Sequence, residues 1–256
     1  MWWIILRRLG VILPKESPSF SICITTFLLR YENLFRPALS KLALLFPDQE
    51  IIVLANGHHD TEAQRAYLKS LRAFLEAYPN VRLLDFMEPR GLSYLWNLGI
   101  RESTNEGVFV LNDDIDLSPL LRKEWSNSEL LKTNLATNGN SWSQFYIRKS
   151  IFEEIGPFDE GLREIGGEDD DYLVRMKLVG KAPTPWPFRH IWTSRGKAVR
   201  INSYGKDMRA QKGGYSTYNS DYLDAKWIRS KEPVDGAVLV RGLYWKKRER
   251  ASSGAK

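Results

Sequence analysis

The chain has 256 residues, of which 43% are hydrophobic and 27% charged, a composition typical of one large soluble domain with a substantial core. A single cysteine, Cys23, excludes an internal disulfide and favours a reducing compartment. The net charge is +6, and residues 241–250 (RGLYWKKRER) hold five basic side chains against one acid. Such a segment favours an anionic partner, and lipid headgroups fit better than nucleic acid because no zinc-finger or aromatic RNA-binding signature is present.

The first 18 residues form an apolar segment that two arginines, Arg7 and Arg8, interrupt. It is too short and too charged to span a bilayer, and it lacks the basic start and cleavage site of a signal peptide. We therefore expect a cytoplasmic protein whose ends, 1–18 and the basic tail 231–256, can contact a membrane peripherally.

Strands and helices alternate along the next part of the chain. An apolar run from Ser19 (SFSICITTFLL) predicts a buried strand, followed by a helix through about Phe46. Residues 49–57 predict a second strand, and TEAQRAYLKSLRAFLEAYP has helical spacing up to Pro79. VRLLDF predicts a third strand, GLSYLWNLGIRES a helix, and GVFVLNDDIDLSP a fourth strand ending in acids. This order predicts a mainly parallel α/β sheet, which binds ligands beyond the carboxyl ends of its strands.

Acidic side chains follow the fourth predicted strand. If that strand continues, Asp114 and Asp116 lie on one side of it and Asp113 on the other. Two carboxylates so placed can share Mg²⁺ or Mn²⁺, which prefer oxygen ligands. The alternative is a polar turn that closes the strand.

Four consecutive carboxylates occur in the segment GGEDDDY, residues 166–172. Like charges this close repel one another unless solvent, a cation or a helix N-terminus offsets them. The segment is therefore either the acidic first turn of a helix or a site that uses negative charge.

Five short motifs in order resemble those of nucleotide-sugar-dependent glycosyltransferases of the GT-A fold, most closely the large family-2 group. They are SICITTF, EIIVLANGHHD, YLWNLGI, VFVLNDDIDLSP and GPFDEGLREIGGEDDDYLVRM, and together they cover roughly residues 19–178. The string GGEDDD, with the earlier acid-x-acid-L-x-P pattern, also resembles the β-1,4-galactosyltransferases. The resemblance implies a Rossmann-like, mainly parallel sheet flanked by helices, in a single catalytic domain at 19–230.

The resemblance also implies an inverting transfer of sugar from a nucleotide-diphosphate sugar, with UDP expected, to a hydroxyl of a glycan or lipid-linked acceptor. Family-2 strands often end in an Asp pair that holds the nucleoside, and Ala55-Asn56 stands there instead, which leaves the base in doubt. The expected cofactor is Mn²⁺ or Mg²⁺.

The resemblance assigns roles to individual side chains. Asp169 is the expected general base. Acceptor contacts are expected from Gly167, Glu168, Asp170 and Trp142, although Trp142 is as well explained as core. Asp171 is expected to be first-turn helix structure. The expected nucleotide-sugar contacts are Thr25, Thr26, Asn56, Arg90, Asn97, Asp113 and Asp114, and the expected metal ligands are Asp114, Asp116 and His190. The family-2 alignment would instead place the acid-x-acid motif at Asn112 and Asp114, so that only Asp114 belongs to both alignments.

Two other classes of protein are weighed against this interpretation. A sugar-nucleotide pyrophosphorylase needs a glycine-rich loop after the first strand, and FLLRYENLF contains no glycine. An inactive transferase-like module that binds glycan or scaffolds partners is the remaining alternative.

Overall fold

The structure is a computed structural model that describes residues 19–138, 141–163, 166–193 and 216–248. The predicted N-terminal segment 1–18 and the last residues of the predicted tail, 249–256, lie outside the described residues. Within the described ranges, no helix has the length and apolar character needed to cross a membrane.

The first half of the chain alternates strands and helices. Its elements are β1 (Ser21–Thr26), a 3₁₀ turn (Leu28–Arg30), a π-helical turn (Tyr31–Phe35), α1 (Arg36–Leu45), β2 (Glu50–Ala55), α2 (Thr61–Leu75), β3 (Val81–Asp85), α3 (Leu92–Glu102) and β4 (Gly107–Asn112). The second half has β5 (Ile115–Leu117), α4 (Leu121–Trp125), α5 (Ser128–Lys132), β6 (Leu135–Asn138), β7 (Ser141–Arg148), α6 (Lys149–Ile155), α7 (Glu168–Leu178), β8 (Thr184–Pro185) and β9 (Ile191–Thr193). After these come α8 (Thr217–Lys226), β10 (Trp227–Ser230), β11 (Val238–Val240) and β12 (Leu243–Lys247).

The main sheet has the strand order β3-β2-β1-β4-β7-β6-β8. Strands β3, β2, β1 and β4 are parallel, and β7 runs antiparallel to both of its neighbours. The prediction of a mainly parallel α/β fold is confirmed. The register pairs Thr25 with Leu54 and with Asn112, so the carboxyl ends of the central strands form one edge.

Alternate side chains of the central strands fill a core on each face of the sheet. Ile22 and Ile24 of β1 face one layer, with Phe109 and Trp125, whereas Cys23 faces the other. Cys23 is fully buried, and burial raises the pKa of its thiol, so it behaves as a small core hydrophobe.

The fourth strand stops earlier than the sequence suggested. β4 ends at Asn112, and residues 115–117 form a separate short strand, β5, paired antiparallel with β9. The acids after Asn112 therefore do not continue one strand, and the expected alternation of their side chains about a common axis does not hold.

Residues 227–247 form a small antiparallel sheet in the order β10-β12-β11. Trp227, Val240 and Trp245 are buried in the core layer that also contains residues of α7. The stretch 231–248 of the expected basic tail is thus folded, because Val240 and Trp245 are buried against the domain.

Candidate functional site

The carboxyl edge of the central strands gathers small polar side chains. Thr25 and Thr26 end β1 and are buried, and Asn112 ends the neighbouring β4. The hydroxyl of Thr25 lies 3.4 Å from the carbonyl oxygen of Leu111 and 3.5 Å from Oδ1 of Asn112. These predicted residues therefore line one edge of the sheet.

Asp113 and Asp114 follow at this edge and share one cation, Arg30. Its Nη1 lies 2.9 Å from Oδ1 of Asp113 and 3.6 Å from Oδ1 of Asp114. Asp113 is buried, which raises the pKa of its carboxyl, while the charge of Arg30 acts in the opposite direction. Asp114 is 15% exposed, and its Oδ1 is buried without a hydrogen-bond partner. Sequence reasoning missed Arg30, although an arginine just after the first strand was visible in FLLRYENLF.

Asp116 points away from this cluster. It forms an ion pair with Lys41 of α1 and is 41% exposed. His190 precedes β9, the partner strand of β5. Its backbone carbonyl accepts from the Ser118 N–H at 2.9 Å, and its backbone N–H donates to the Glu124 carboxylate. Across the described ranges, no three His, Cys, Asp or Glu side chains come close enough to hold a metal. Asp114, Asp116 and His190 are therefore not gathered into one ligand set.

Asn56 is engaged by the backbone of the loop before α3. Its Oδ1 accepts from the N–H groups of Arg90 (2.8 Å) and Gly57 (2.9 Å), and its Nδ2 donates to the Arg90 carbonyl at 2.9 Å. A Cβ on Gly57 would lie 2.1 Å from the carbonyl carbon of Glu88, so only glycine allows this approach. Asn56 thus shapes the rim, and the exposed Arg90 guanidinium lies over the Tyr94 ring at 5.6 Å.

Asn97 and Trp142 are core residues. Asn97 is fully buried and donates to the Phe158 carbonyl (2.9 Å) and to Glu160 (2.8 Å), while it accepts from the Phe158 N–H. Trp142 is 4% exposed and packs against Phe158 and Tyr172. Neither side chain is presented to a ligand, and for Trp142 the core explanation fits.

The segment GGEDDDY begins helix α7, as its acidic first turn indicated. Gly166 and Gly167 have φ of 84° and 97°, in the left-handed region that favours glycine. The Gly167 carbonyl then accepts from the Asp171 N–H at 2.9 Å, which starts the helix. The ring of Trp142, which lies just beyond the carboxyl edge of β4, packs on Tyr172 at 6.0 Å, so helix α7 packs near that edge through Tyr172.

The four carboxylates of α7 have different environments. Asp171 is fully buried and pairs with Arg175 (2.9 Å) and Lys226 (2.6 Å). Asp169 and Asp170 both pair with Arg241, at 2.6 and 2.8 Å. The cations beside Asp169, Asp170 and Asp171 offset the repulsion within the run.

Glu168 differs from its three neighbours, because its Oε1 is buried without a hydrogen-bond partner. Burial, with smaller contributions from Asp169 and Asp170, raises the pKa of Glu168 to about 8. Near neutral pH Glu168 is therefore mainly a neutral acid that can donate a hydrogen bond. With Glu168 and Asp170 buried, the Asp169 side chain, at 19% exposure, is the acid of this turn that a ligand can reach.

No protein-family model and no curated protein matches the chain. Among solved structures, the mannosyltransferase PcManGT from Pyrobaculum calidifontis, in complex with GDP-Man and Mn²⁺, matches with a TM-score of 0.50 at 15% identity. The match covers 73% of this chain and 61% of that one. TarS 1–349 from S. aureus matches with a TM-score of 0.47 at 16% identity, over 62% and 55%, too weakly to carry an argument. The chain therefore has a GT-A-like glycosyltransferase fold.

Proposed function

We propose that the protein is an inverting glycosyltransferase that moves sugar from a nucleotide-diphosphate sugar to an acceptor hydroxyl. One observation carries the proposal: an acid cluster follows β4 of a GT-A-like sheet, and α7, whose first turn holds the reachable carboxylate Asp169, packs near the same edge through Tyr172. In such sheets ligands bind at this edge. The reaction needs both groups, one to bind the charged donor and one to accept a proton.

The donor end is formed by Thr25, Thr26, Asn112 and the two acids that follow. A hard cation commonly takes one or two protein carboxylates and completes its shell with phosphate oxygens and water. Asp114 fits this requirement, because its Oδ1 is buried without a hydrogen bond and its side chain is 15% exposed, and Asn112 at the end of β4 offers an amide oxygen two residues earlier. When bound, Mn²⁺ or Mg²⁺ would stabilise the negative charge that develops on the leaving diphosphate.

Arg30 is a second source of positive charge at the donor end. Asp113 is already paired with Arg30 at 2.9 Å, which leaves Asp114 as the better candidate for a metal. Asp116 is a weaker candidate ligand, since it pairs with Lys41 on α1, and His190 stays a proposed ligand. That the mannosyltransferase PcManGT was solved with GDP-Man and Mn²⁺ supports a metal-assisted donor site.

The acceptor end is formed by the first turn of α7. The acceptor hydroxyl attacks the anomeric carbon, the bond from that carbon to the diphosphate breaks with its electron pair leaving on the phosphate, and Asp169 takes the hydroxyl proton. Asp169 suits this role because it is ionisable and partly exposed. Gly167 leaves room for the acceptor to approach the backbone, and Glu168, buried and mainly neutral, adds little negative charge beside Asp169.

The acceptor is proposed to be a glycan or a lipid-linked saccharide. Contact with an anionic membrane also stays a proposal; it depends on residues 1–18, outside the described ranges, and on the basic tail 231–256, which is described as far as residue 248.

The direct test incubates the purified protein with Mn²⁺, a panel of UDP- and GDP-sugars and simple glycoside acceptors, and measures released nucleoside diphosphate and glycosylated product. The proposal predicts release coupled to product for at least one donor. A protein that binds glycosides but releases no nucleoside diphosphate from any donor is a binding module instead.

A further inference from the structure

A two-residue turn, Arg241-Gly242, joins β11 to β12. Its residues have φ of 48° and 80°. Such hairpin turns favour asparagine and glycine, because other side chains are strained in the left-handed region. Within the described ranges Arg241 is the one residue other than glycine with a positive φ. An arginine in this position needs an explanation beyond the turn.

The guanidinium of Arg241 bridges two acids of the first turn of α7, about 70 residues earlier in the chain. Nη2 lies 2.6 Å from Oδ2 of Asp169, and Nη1 lies 2.8 Å from Oδ1 of Asp170. The other oxygen of Asp169 accepts from the Asp170 N–H at 3.1 Å. Both oxygens of Asp169 are therefore oriented, and one positive charge faces two adjacent negative ones.

Other contacts attach the hairpin to the domain. Trp245 and Val240 are buried in the core layer that also contains Tyr172, Leu173 and Met176 of α7. Lys177 of α7 donates to the Leu239 carbonyl at 2.6 Å. The hairpin therefore has its own anchors, and Arg241 is not needed merely to attach it.

We propose that Arg241 is a positioning residue for the transfer reaction: it is the counter-ion that holds the Asp169 carboxylate in place for the acceptor hydroxyl. This inference rests on the proposed function. Arg241 lies on the hairpin of β11 and β12, so a distant segment of the chain supplies the cation of the acid cluster of α7. Strained backbone at a functional site fits such a role.

The first test needs no activity. Arg241→Gln is compared with wild type, and the same substitution is made in an Asp169→Asn/Asp170→Asn background, where both carboxylates are neutral. Gln at this turn keeps a non-glycine backbone, so the strain is matched. We expect the melting temperature to fall by about 2–6 °C in the wild-type background and by less than about 1 °C in the neutral one. Equal losses in both backgrounds overturn the inference.

The second test separates turnover from donor binding. With the donor and acceptor that give product, Arg241→Gln is expected to lower kcat by about 100-fold because Asp169 is misplaced, while the donor KM changes less than about threefold. Arg241→Lys keeps the charge but cannot bridge both carboxylates with two nitrogens, so its kcat should lie between those of Arg241→Gln and wild type. Lys69→Gln, which removes a positive charge from an exposed position on α2, is the control and should leave kcat unchanged.

The outcomes distinguish the two proposals. Wild-type kcat in Arg241→Gln overturns the positioning role while the transferase function stands. If the wild type turns over no donor, the proposed function fails, and the melting experiment alone decides whether Arg241 is the counter-ion of these acids.

Discussion

Replacing Glu168 with glutamine should stabilise the folded protein at pH 8 and leave it almost unchanged at pH 5. Glutamine keeps the shape of the side chain but cannot ionise. The wild-type carboxyl is buried, its Oε1 has no hydrogen-bond partner, and its pKa is raised from 4.5 to about 8. The carboxylate form of Glu168 is therefore disfavoured in the folded protein.

The sign of the pH dependence of stability follows from the number of protons that the folded and unfolded states bind. Between pH 4.5 and about 8 the unfolded chain has released this proton while the folded protein retains it, so stability falls as the pH rises through this window. Below the ordinary pKa both states are protonated, and the cost disappears. At about 1.4 kcal/mol per pH unit, the difference between the two pKa values gives an upper limit of about 5 kcal/mol for the stability lost through ionisation of Glu168. Relaxation and water entry reduce it, so we expect a gain of about 2–4 kcal/mol at pH 8.

Urea denaturation at pH 5 and pH 8 measures the effect, with Glu153→Gln as the control. Glu153 is an exposed glutamate on α6, so its substitution should change stability by less than about 0.5 kcal/mol at either pH. A Glu168→Gln protein that is no more stable than wild type at pH 8, or that gains the same amount at pH 5, would refute the argument.

Two other substitutions test the two acid clusters. Asp171→Asn should destabilise the fold by about 3–5 kcal/mol in urea denaturation, because it removes a buried negative charge that is paired with Arg175 and Lys226. The control, Asp224→Asn, removes an exposed charge and should cost less than about 1 kcal/mol; equal costs would contradict the burial of Asp171. Asp114→Ala should abolish the Mn²⁺-dependent part of nucleoside-diphosphate binding in calorimetry, whereas Asp116→Ala, whose carboxylate faces Lys41, should retain it. The opposite order would place the metal on Asp116.

The sheet was predictable from sequence because its information is local. Unbroken apolar runs marked β1, β2 and β4, and the helical spacing after residue 60 marked α2, which begins with an Asp60 cap. The acidic start of α7 was predictable for the same reason, since the glycines and the carboxylates adjoin the helix they begin.

Contacts between distant parts of the chain were not predictable from local patterns. Asp116 turns toward Lys41 because residues 115–117 pair with β9, a strand more than 70 residues later. Arg30 and Arg241 meet their acids across separations of 83 and 72 residues. Amphipathic patterns report which face of an element is buried, but they do not identify the partner of a charged side chain.

The role of Asn56 illustrates a further limit. A side-chain amide at a strand end can hydrogen-bond either a ligand or a neighbouring loop, and it offers the same donors and acceptors in both cases. Only the fold shows that its amide is engaged by the backbone of Arg90 and Gly57.

The central claim is that Asp169 accepts the proton of the acceptor hydroxyl, and the rate of sugar transfer by Asp169→Asn tests it most directly. Asparagine keeps the shape of the side chain but cannot take a proton. Measured as product formed per enzyme at saturating donor, turnover should fall by about a hundred- to ten-thousand-fold, while nucleoside-diphosphate affinity stays near that of wild type. Near-normal transfer by Asp169→Asn would contradict the account and would leave GGEDDDY as only the acidic start of a helix.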